Sequence, residues 1–303
     1  MKRILLRTAF VCVLFALVAA VEFYLHPLSF MLRCAYLGEA LGGMESRTLT
    51  VQGRPMHYLA TGPKSGPVVV LVHGLGGSAE DWLQLAPRLS HAGFRVYMPD
   101  LFGYGRSARP ADFSYSPRAE AEAVTGFLDA MHLARVNLGG WSMGGWIVQL
   151  IASEHPERIQ KLVLFDSAGL YQPPTWNTQL FIPTTPEELD QLEALLMPHP
   201  KQAPAFVVRD ILRFSHERAW IIQRALNSML TGQETTDALL PRLKMPVLIV
   251  WGTDDRIFPE TQAEKMHTLT PHSEVVLASG CGHLAPRQCV GAFAPQLEAF
   301  LQH

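Results

Sequence analysis

The sequence predicts an α/β fold in which a mostly parallel sheet of eight strands carries helices on both faces. Short Val- and Leu-rich runs alternate with segments of helical spacing between residues 67 and 165, which is the pattern of consecutive βα units. A segment without strand-like runs, residues 170–241, then interrupts the alternation. A serine in the pentapeptide Gly140-Trp141-Ser142-Met143-Gly144 lies at one of the strand-to-helix turns. Together these observations place a helical insertion and a candidate reactive group on one α/β framework.

Composition argues against several kinds of partner. Lys and Arg number 25 and Asp and Glu 27, which gives a formal net charge of −2, so nucleic acid is not expected to bind. The cysteines, Cys12, Cys34, Cys281 and Cys289, show no zinc spacing, and neither a metal nor a cofactor is expected. Cys281 and Cys289 could pair in an exported protein, but two buried thiols are the preferred interpretation. The sequence does not fix the oligomeric state, and a monomer is the default expectation.

The amino terminus is predicted to be a membrane anchor, residues 1–25. Met1-Lys2-Arg3 precedes an apolar stretch, and residues 4–25 would span a bilayer if Arg7 and Glu22 reached the two head-group layers. Because positive charge is denser before this stretch than after it, the rest of the chain is expected on the exported side, periplasmic or extracellular. Secretion after removal of a signal peptide, or a helix tucked into a soluble domain, are the alternatives. Residues 26–44 are predicted to be an amphipathic linker.

The strands of the predicted sheet follow from residue 45 onward. Residues 47–51 and 56–60 flank a turn and indicate a hairpin at the antiparallel edge. Later strands are predicted at residues 67–72, 95–98, 135–138, 161–165, 246–250 and 275–277, and helices at residues 79–89, 117–131, 142–155 and 286–301. Because ligands bind at the carboxyl ends of parallel strands, the loops that follow these strands are the place to look for a site.

The helix-only segment is predicted to form a cap over that edge of the sheet. Its helices are expected at residues 185–197, 205–214 and 217–230, with Thr185 as the amino-terminal cap of the first. The expected domain division is a core of residues 45–169 and 242–303 and a cap of residues 170–241. The cap is richer in apolar residues than so small a layer requires, so some of them are candidate substrate contacts. These candidates, with the tryptophan beside the serine, are Trp141, Phe181, Ile182 and Trp220.

Three loops carry the residue types that nucleophilic catalysis requires. A serine hydroxyl attacks only when a sharp turn holds it beside a base and near N–H donors. Asp255 follows the strand at 246–250, and His283 lies in a Gly-rich loop after the strand at 275–277. Asp254 and Asp166 are alternative acids. The simpler interpretation of Ser142 is that it caps the following helix.

On these residues the chain resembles the α/β-hydrolase superfamily. The resemblance rests on the order Ser142, Asp255, His283, on the G-x-S-x-G motif, on the helical insertion after the sixth strand and on the loop at residues 100–107. Phe102 stands where the family usually has a proline in that loop. More narrowly, residues 167–170 and 182–188 are similar to those of membrane-associated monoacylglycerol lipases and related bacterial lipases.

The resemblance implies a role for each matching residue. Ser142 would be the nucleophile, His283 the base and Asp255 the group that orients the histidine. The backbone N–H groups of Leu75 and Met143 would form the oxyanion hole. The implied function is hydrolysis of carboxylic esters through an acyl-enzyme, with lipid-derived esters such as monoacylglycerols as substrates. A carbon–carbon bond hydrolase of ring-cleavage products, or a non-catalytic binding protein of the same fold, are the alternatives.

Overall fold

The computed structural model of the protein describes the backbone of residues 2–303 and the side chains of residues 7, 8, 10–34, 36–38 and 42–303. The strands are β1 (Glu45–Val51), β2 (Arg54–Thr61), β3 (Val68–Val72), β4 (Arg95–Pro99), β5 (Val136–Trp141), β6 (Ile159–Phe165), β7 (Val247–Gly252) and β8 (Ser273–Ala278). They lie in the order β1-β2-β4-β3-β5-β6-β7-β8. β2 runs antiparallel to both of its neighbours, β1 and β4, and the other neighbouring strands pair in parallel. The predicted fold class is therefore confirmed.

Helices cover both faces of the sheet. They are α1 (Lys2–Leu25), α2 (Pro27–Leu41), α3 (Ala86–His91), α4 (Pro117–Ala130), α5 (Met143–Glu154), α6 (Pro186–Leu196), α7 (Ala205–Met229), α8 (Thr261–Leu269), α9 (Ala285–Gln288) and α10 (Val290–Gln302). Phe127 of α4, Ile147 of α5 and Met266 of α8 are buried on one face. Leu89 of α3 and Phe293 of α10 are buried on the other. Strands β3 and β7 are apolar along their whole length because both faces of the sheet are covered.

The prediction of a transmembrane anchor at residues 1–25 is wrong. Among the described residues, no helix has the length and apolar character needed to cross a bilayer. In α1 only 14 uncharged residues separate Arg7 from Glu22, fewer than the ~20 that a membrane span requires. The predicted localisation, a catalytic domain held on the exported side by this helix, falls with it. The side chains of Lys2 and Arg3, on which the predicted orientation rested, lie outside the described residues.

The predicted linker is a helix that packs on the cap. Glu22 of α1 forms an ion pair with Arg33 of α2 at 2.7 Å, and the Phe23 ring meets that of Phe206 in α7 at 5.5 Å. The backbone N–H of Leu28, in the first turn of α2, donates to the Asp210 carboxylate at 2.9 Å. Asp210 thus satisfies an N–H group that a helix leaves unpaired at its start, and it fastens α2 to α7.

The cap differs from its prediction in one respect. Thr185 does cap α6, since its hydroxyl accepts the N–H of Glu188 at 3.2 Å. The two later helices predicted in the cap are instead one helix, α7, of 25 residues. Residues 205–229 contain neither glycine nor proline, so nothing in the backbone ends a helix that has started. Helix α8, which the sequence interpretation missed, lies between β7 and β8.

Candidate active site

A strained turn holds Ser142 at the carboxyl end of β5. Its backbone has φ 55° and ψ −119°, a region that a residue with a side chain seldom occupies. A Cβ atom at Gly140 would lie 2.2 Å from the Gly144 carbonyl oxygen, and one at Gly144 would lie 2.2 Å from that of Val72. Both glycines are therefore required for strand and helix to approach this closely. The serine is left at the start of α5, above the edge of the sheet.

His283 connects Ser142 to Asp255. Its Nε2 lies 2.9 Å from the Ser142 Oγ, and its Nδ1 lies 2.8 Å from Asp255 Oδ2. The other carboxylate oxygen accepts the N–H groups of Ile257 at 2.8 Å and Phe258 at 2.9 Å. His283 and Asp255 are both buried. The structure thus brings together three residues predicted from separate loops, in the geometry of a nucleophile, a base and a carboxylate that orients the base.

Neither alternative acid contacts His283. Asp254 is exposed, and its carboxylate lies 3.4 Å from the Thr253 hydroxyl. Asp166 is fully buried and accepts the Gly252 N–H at 2.7 Å. Burial, and then the negative charge of Asp255, raise the pKa of Asp166 well above its ordinary value. Asp166 thus bonds to the backbone at the end of β7 and does not contact the imidazole.

The loop that carries His283 is fixed at several points. The Trp141 indole N–H donates to the His283 carbonyl at 2.7 Å, and the Phe258 ring meets the imidazole edge-on at 5.5 Å. Cys281 and Cys289 form a disulfide with their Cα atoms 6.2 Å apart, so the interpretation as two free thiols is wrong. The eight-residue separation and the turn of α9 bring the two sulfurs together. The disulfide closes a loop that contains the candidate base.

Replacing both Cys281 and Cys289 by serine is expected to lower the free energy of unfolding by about 2.5 kcal/mol, because a short loop of the unfolded chain is no longer closed. Denaturant unfolding measures this loss. Replacing Cys12 and Cys34, which are free and exposed, is the matched control and should change stability little. Equal losses in the two double variants would contradict the prediction. Trp141 and Asp255 still hold the histidine in the variant, so turnover should persist.

The loop after β3 faces Ser142 across the site. His73 is buried; its Nδ1 donates to the Gly74 carbonyl at 2.8 Å and its Nε2 accepts the Leu101 N–H at 3.0 Å. Its ring therefore joins two loops and is not available for proton transfer. Leu75 lies between Gly74 and Gly76, and the backbone φ of Gly76 is 73°. The N–H of Met143 belongs to the first turn of α5, where a helix has no partner for it.

The loop after β4 is held by a buried carboxylate. The Asp100 side chain accepts the Ala79 N–H at 2.7 Å, the Arg106 N–H at 2.9 Å and a bond from His57 Nδ1 at 2.8 Å. Burial alone would raise the pKa of Asp100, but these bonds, above all that of His57, hold it below its ordinary value. Asp100 therefore stays ionised. Its bonds hold the helical turn that begins at Ala79 against the loop at Arg106.

A cavity of about 630 Å³ contains Ser142 and His283. Trp141 and Phe181, two of the candidate substrate contacts, line it, whereas Ile182 and Trp220 do not. Trp220 is two positions from the cavity-lining Arg218 and so points from the opposite side of α7, where its ring packs on Tyr115 at 5.6 Å. Within the described residues, no cluster of His, Cys, Asp and Glu is suited to hold a metal ion.

Helix α2 supplies a wall of this cavity that the sequence interpretation missed. Leu28, Met31, Leu32 and Tyr36 all line it. Their spacing of three and four residues is the pattern of one helix face, and it was available in the sequence as a signal. Arg218 of α7 also lines the cavity and was not a candidate.

Comparisons with known proteins agree with this architecture. A sequence profile described as the alpha/beta hydrolase fold matches residues 67–286. Lipase 3 of Moraxella sp. strain TA144 is 28% identical over 273 residues, which cover 85% of this chain and 84% of that lipase. The crystal structure of a membrane phospholipase A has a TM-score of 0.83 at 28% identity and covers 100% of this chain and 98% of that one. The 2-hydroxy-6-oxo-6-phenylhexa-2,4-dienoate hydrolase of Rhodococcus sp. strain RHA1 has a TM-score of 0.76 at 25% identity, over 86% and 99% of the two chains.

Proposed function

The chain belongs to the α/β-hydrolase fold family, and we propose that it is a serine hydrolase that cleaves lipid-derived carboxylic esters through an acyl-enzyme on Ser142. The observation that carries the proposal is the continuous line of hydrogen bonds from the Ser142 hydroxyl through His283 to Asp255. Hydrolase activity in general is supported by the fold family and by the lipase relatives. The substrate class and the covalent intermediate are the proposed part.

The geometry supports a two-step reaction. His283 Nε2 takes the Ser142 hydroxyl proton as Oγ attacks the ester carbonyl, and Asp255 stabilises the imidazolium that forms. The N–H groups of Met143 and Leu75 receive the negative charge that develops on the carbonyl oxygen. His283 then gives its proton to the departing alcohol, and the acyl group remains on the Ser142 Oγ. In the second step His283 takes a proton from water as the water oxygen attacks the acyl carbonyl, and it gives that proton to Oγ as the acyl–Oγ bond breaks and the carboxylic acid is released.

The lining of the cavity supports an acyl substrate. Its walls are formed mainly by the side chains of α2 and by apolar residues of the cap, including Phe181, Leu189, Leu192 and Leu196. A volume of about 630 Å³ is within the range of pockets that enclose a whole small ligand. The names of two similar proteins, a lipase and a phospholipase A, agree with this assignment.

Carbon–carbon bond cleavage is the second candidate, because the Rhodococcus hydrolase of similar structure carries the name of a dienoate hydrolase. Both reactions would use the same serine and histidine, so the triad geometry does not separate them. The apolar side chains contributed by α2 favour the ester. A purely binding protein is disfavoured, because the hydrogen-bonded serine, histidine and aspartate have no function in simple binding.

Turnover of matched substrates tests the proposal. We expect hydrolysis of p-nitrophenyl esters and monoacylglycerols, with kcat/KM rising with acyl chain length as more apolar surface is buried, and little or no cleavage of a 2-hydroxy-6-oxo-dienoate. Preferential cleavage of the dienoate would support the carbon–carbon hydrolase instead. No turnover of any substrate by the folded protein would overturn the enzyme assignment.

A further inference from the structure

One face of α7 forms part of the cavity wall. The residues of this face that line the cavity are Ile211, Phe214, Ser215, Arg218 and Ile222, spaced three or four apart as expected for a single helix face. Four of the five are apolar or small. Arg218 places a permanent positive charge among them, in the same cavity as Ser142 and His283.

In the described part of the chain, no carboxylate lies within ion-pair distance of the Arg218 guanidinium, and Glu217 and Asp100 act on it only from a longer range. The guanidinium lies over the Phe214 ring of its own helix, 3.6 Å from the guanidinium carbon to the ring centre. Of the other arginines of α7, Arg213 bonds to Asp210 and Glu217, and Arg224 donates to the Phe113 carbonyl at 2.9 Å. Arg209 lies over the Tyr24 ring at 5.9 Å, outside the cavity. Arg218 is therefore the arginine of this helix that lines the cavity and has no carboxylate at ion-pair distance.

The acidic side chains of the cavity wall do not compensate this charge. Glu80 pairs with Arg106 at 2.8 Å, and Asp81 lies 3.5 Å from Arg287. Burial, and then the positive charge of Arg109, lower the pKa of Arg218 to about 10. A half-buried guanidinium under the positive charge of another arginine is an unfavourable arrangement unless an anion binds to it.

We propose that Arg218 is a specificity-determining residue that binds an anionic oxygen group, a phosphate or a carboxylate, on the ester whose carbonyl lies at Ser142. This inference rests on the proposed function. A guanidinium binds either group through two parallel hydrogen bonds, and the apolar residues of the same face would contact the acyl chain. The preferred substrate is thus an amphiphilic ester with a negative charge, and the neutral monoacylglycerol is the poorer one.

Three esters with the same acyl chain test this assignment: monooctanoylglycerol, its phosphate monoester and its hemisuccinate. Octanoate release is measured for the natural protein and for Arg218→Gln, which removes the charge but preserves helix propensity. We expect Arg218→Gln to lower kcat/KM at least about tenfold for a charged ester, mainly through KM, because a charge-assisted hydrogen bond is lost. The neutral ester should change less than about twofold. Whichever charged ester loses more identifies phosphate or carboxylate as the natural group.

Arg209→Gln is the matched control, because Arg209 is an exposed arginine of the same helix that does not line the cavity. This control should leave the ratio of kcat/KM for a charged ester to kcat/KM for the neutral ester unchanged. The Arg218→Lys variant should retain part of that ratio. An equal effect of Arg218→Gln on charged and neutral esters, or no effect on either, overturns the inference and leaves the proposed function intact.

A binding measurement separates the inference from the proposed function. Titration of the Ser142→Ala protein with the phosphate ester reports affinity without turnover. If the double variant Ser142→Ala, Arg218→Gln binds the phosphate ester at least about tenfold more weakly than Ser142→Ala does, the result supports the anion site. This holds even if the natural protein hydrolyses none of the three esters. Unchanged affinity overturns it.

Discussion

Replacing Ser142 by alanine is expected to lower kcat/KM for a good ester substrate by at least about 10⁴-fold, because no other group can form the acyl-enzyme. Covalent labelling by a fluorophosphonate probe should be lost completely. The hydroxyl accounts for the whole effect, since alanine has the same backbone restrictions as serine and the turn between β5 and α5 is preserved. Mass spectrometry of the labelled protein and steady-state turnover measure the two results.

Ser153→Ala is the matched control for this variant. Ser153 lies on α5, and its hydroxyl donates to the Leu150 carbonyl at 2.9 Å, so its loss should change neither labelling nor turnover. Labelling that persists in Ser142→Ala would show that the nucleophile is another residue. Residual turnover near the natural rate would have the same consequence.

Ser142→Gly provides a second comparison, of stability rather than activity. The positive φ of Ser142 is strained for serine and alanine but not for glycine. The glycine variant should therefore be inactive and yet no less stable than Ser142→Ala, despite the greater flexibility of glycine in the unfolded chain. Such a result would indicate that the turn stores strain in order to expose the hydroxyl.

The sheet could be predicted from the sequence because its strands are buried on both faces. Such strands are continuous Val and Leu runs, and the predicted strands at residues 67–72 and 246–250 lie within two residues of the observed bounds of β3 and β7. The turn at Ser142 was also predictable, since only small residues permit the close approach at Gly140 and Gly144. Local signals of this kind depend on the chain immediately around them.

The parts that were missed depend on contacts between distant segments. The amino-terminal helices have an apolar sequence, and nothing local shows that the Leu28 N–H bonds to Asp210, 182 residues away. The role of Arg218 required knowledge of which carboxylates are already paired. Ile182 and Trp220 were chosen for being apolar, which is a property of most buried residues and does not specify the side of a helix.

Replacing Asp255 by asparagine is expected to lower kcat by about 10⁴-fold while the fold is retained. The asparagine carbonyl oxygen can still accept the N–H groups of Ile257 and Phe258. Its amide would then donate to His283 Nδ1, which forces the proton of the neutral imidazole onto Nε2. In that tautomer Nε2 cannot take the Ser142 proton, so the base is present but in the wrong form. Turnover and a thermal melt of the same preparation measure the two properties.

Asp254→Asn is the matched control, since it makes the same chemical change at the adjacent, exposed residue and should leave kcat within about twofold of the natural value, as surface changes usually do. If Asp254→Asn had the larger effect, the orienting acid would be reassigned to that residue.

Asp166→Asn tests the remaining carboxyl. Because Asp166 accepts the Gly252 N–H and does not touch His283, replacing it removes no hydrogen-bond partner from the imidazole. A loss of kcat as large as that of Asp255→Asn, with stability unchanged, would mean that the orienting charge is Asp166 and that Asp255 only supports the loop.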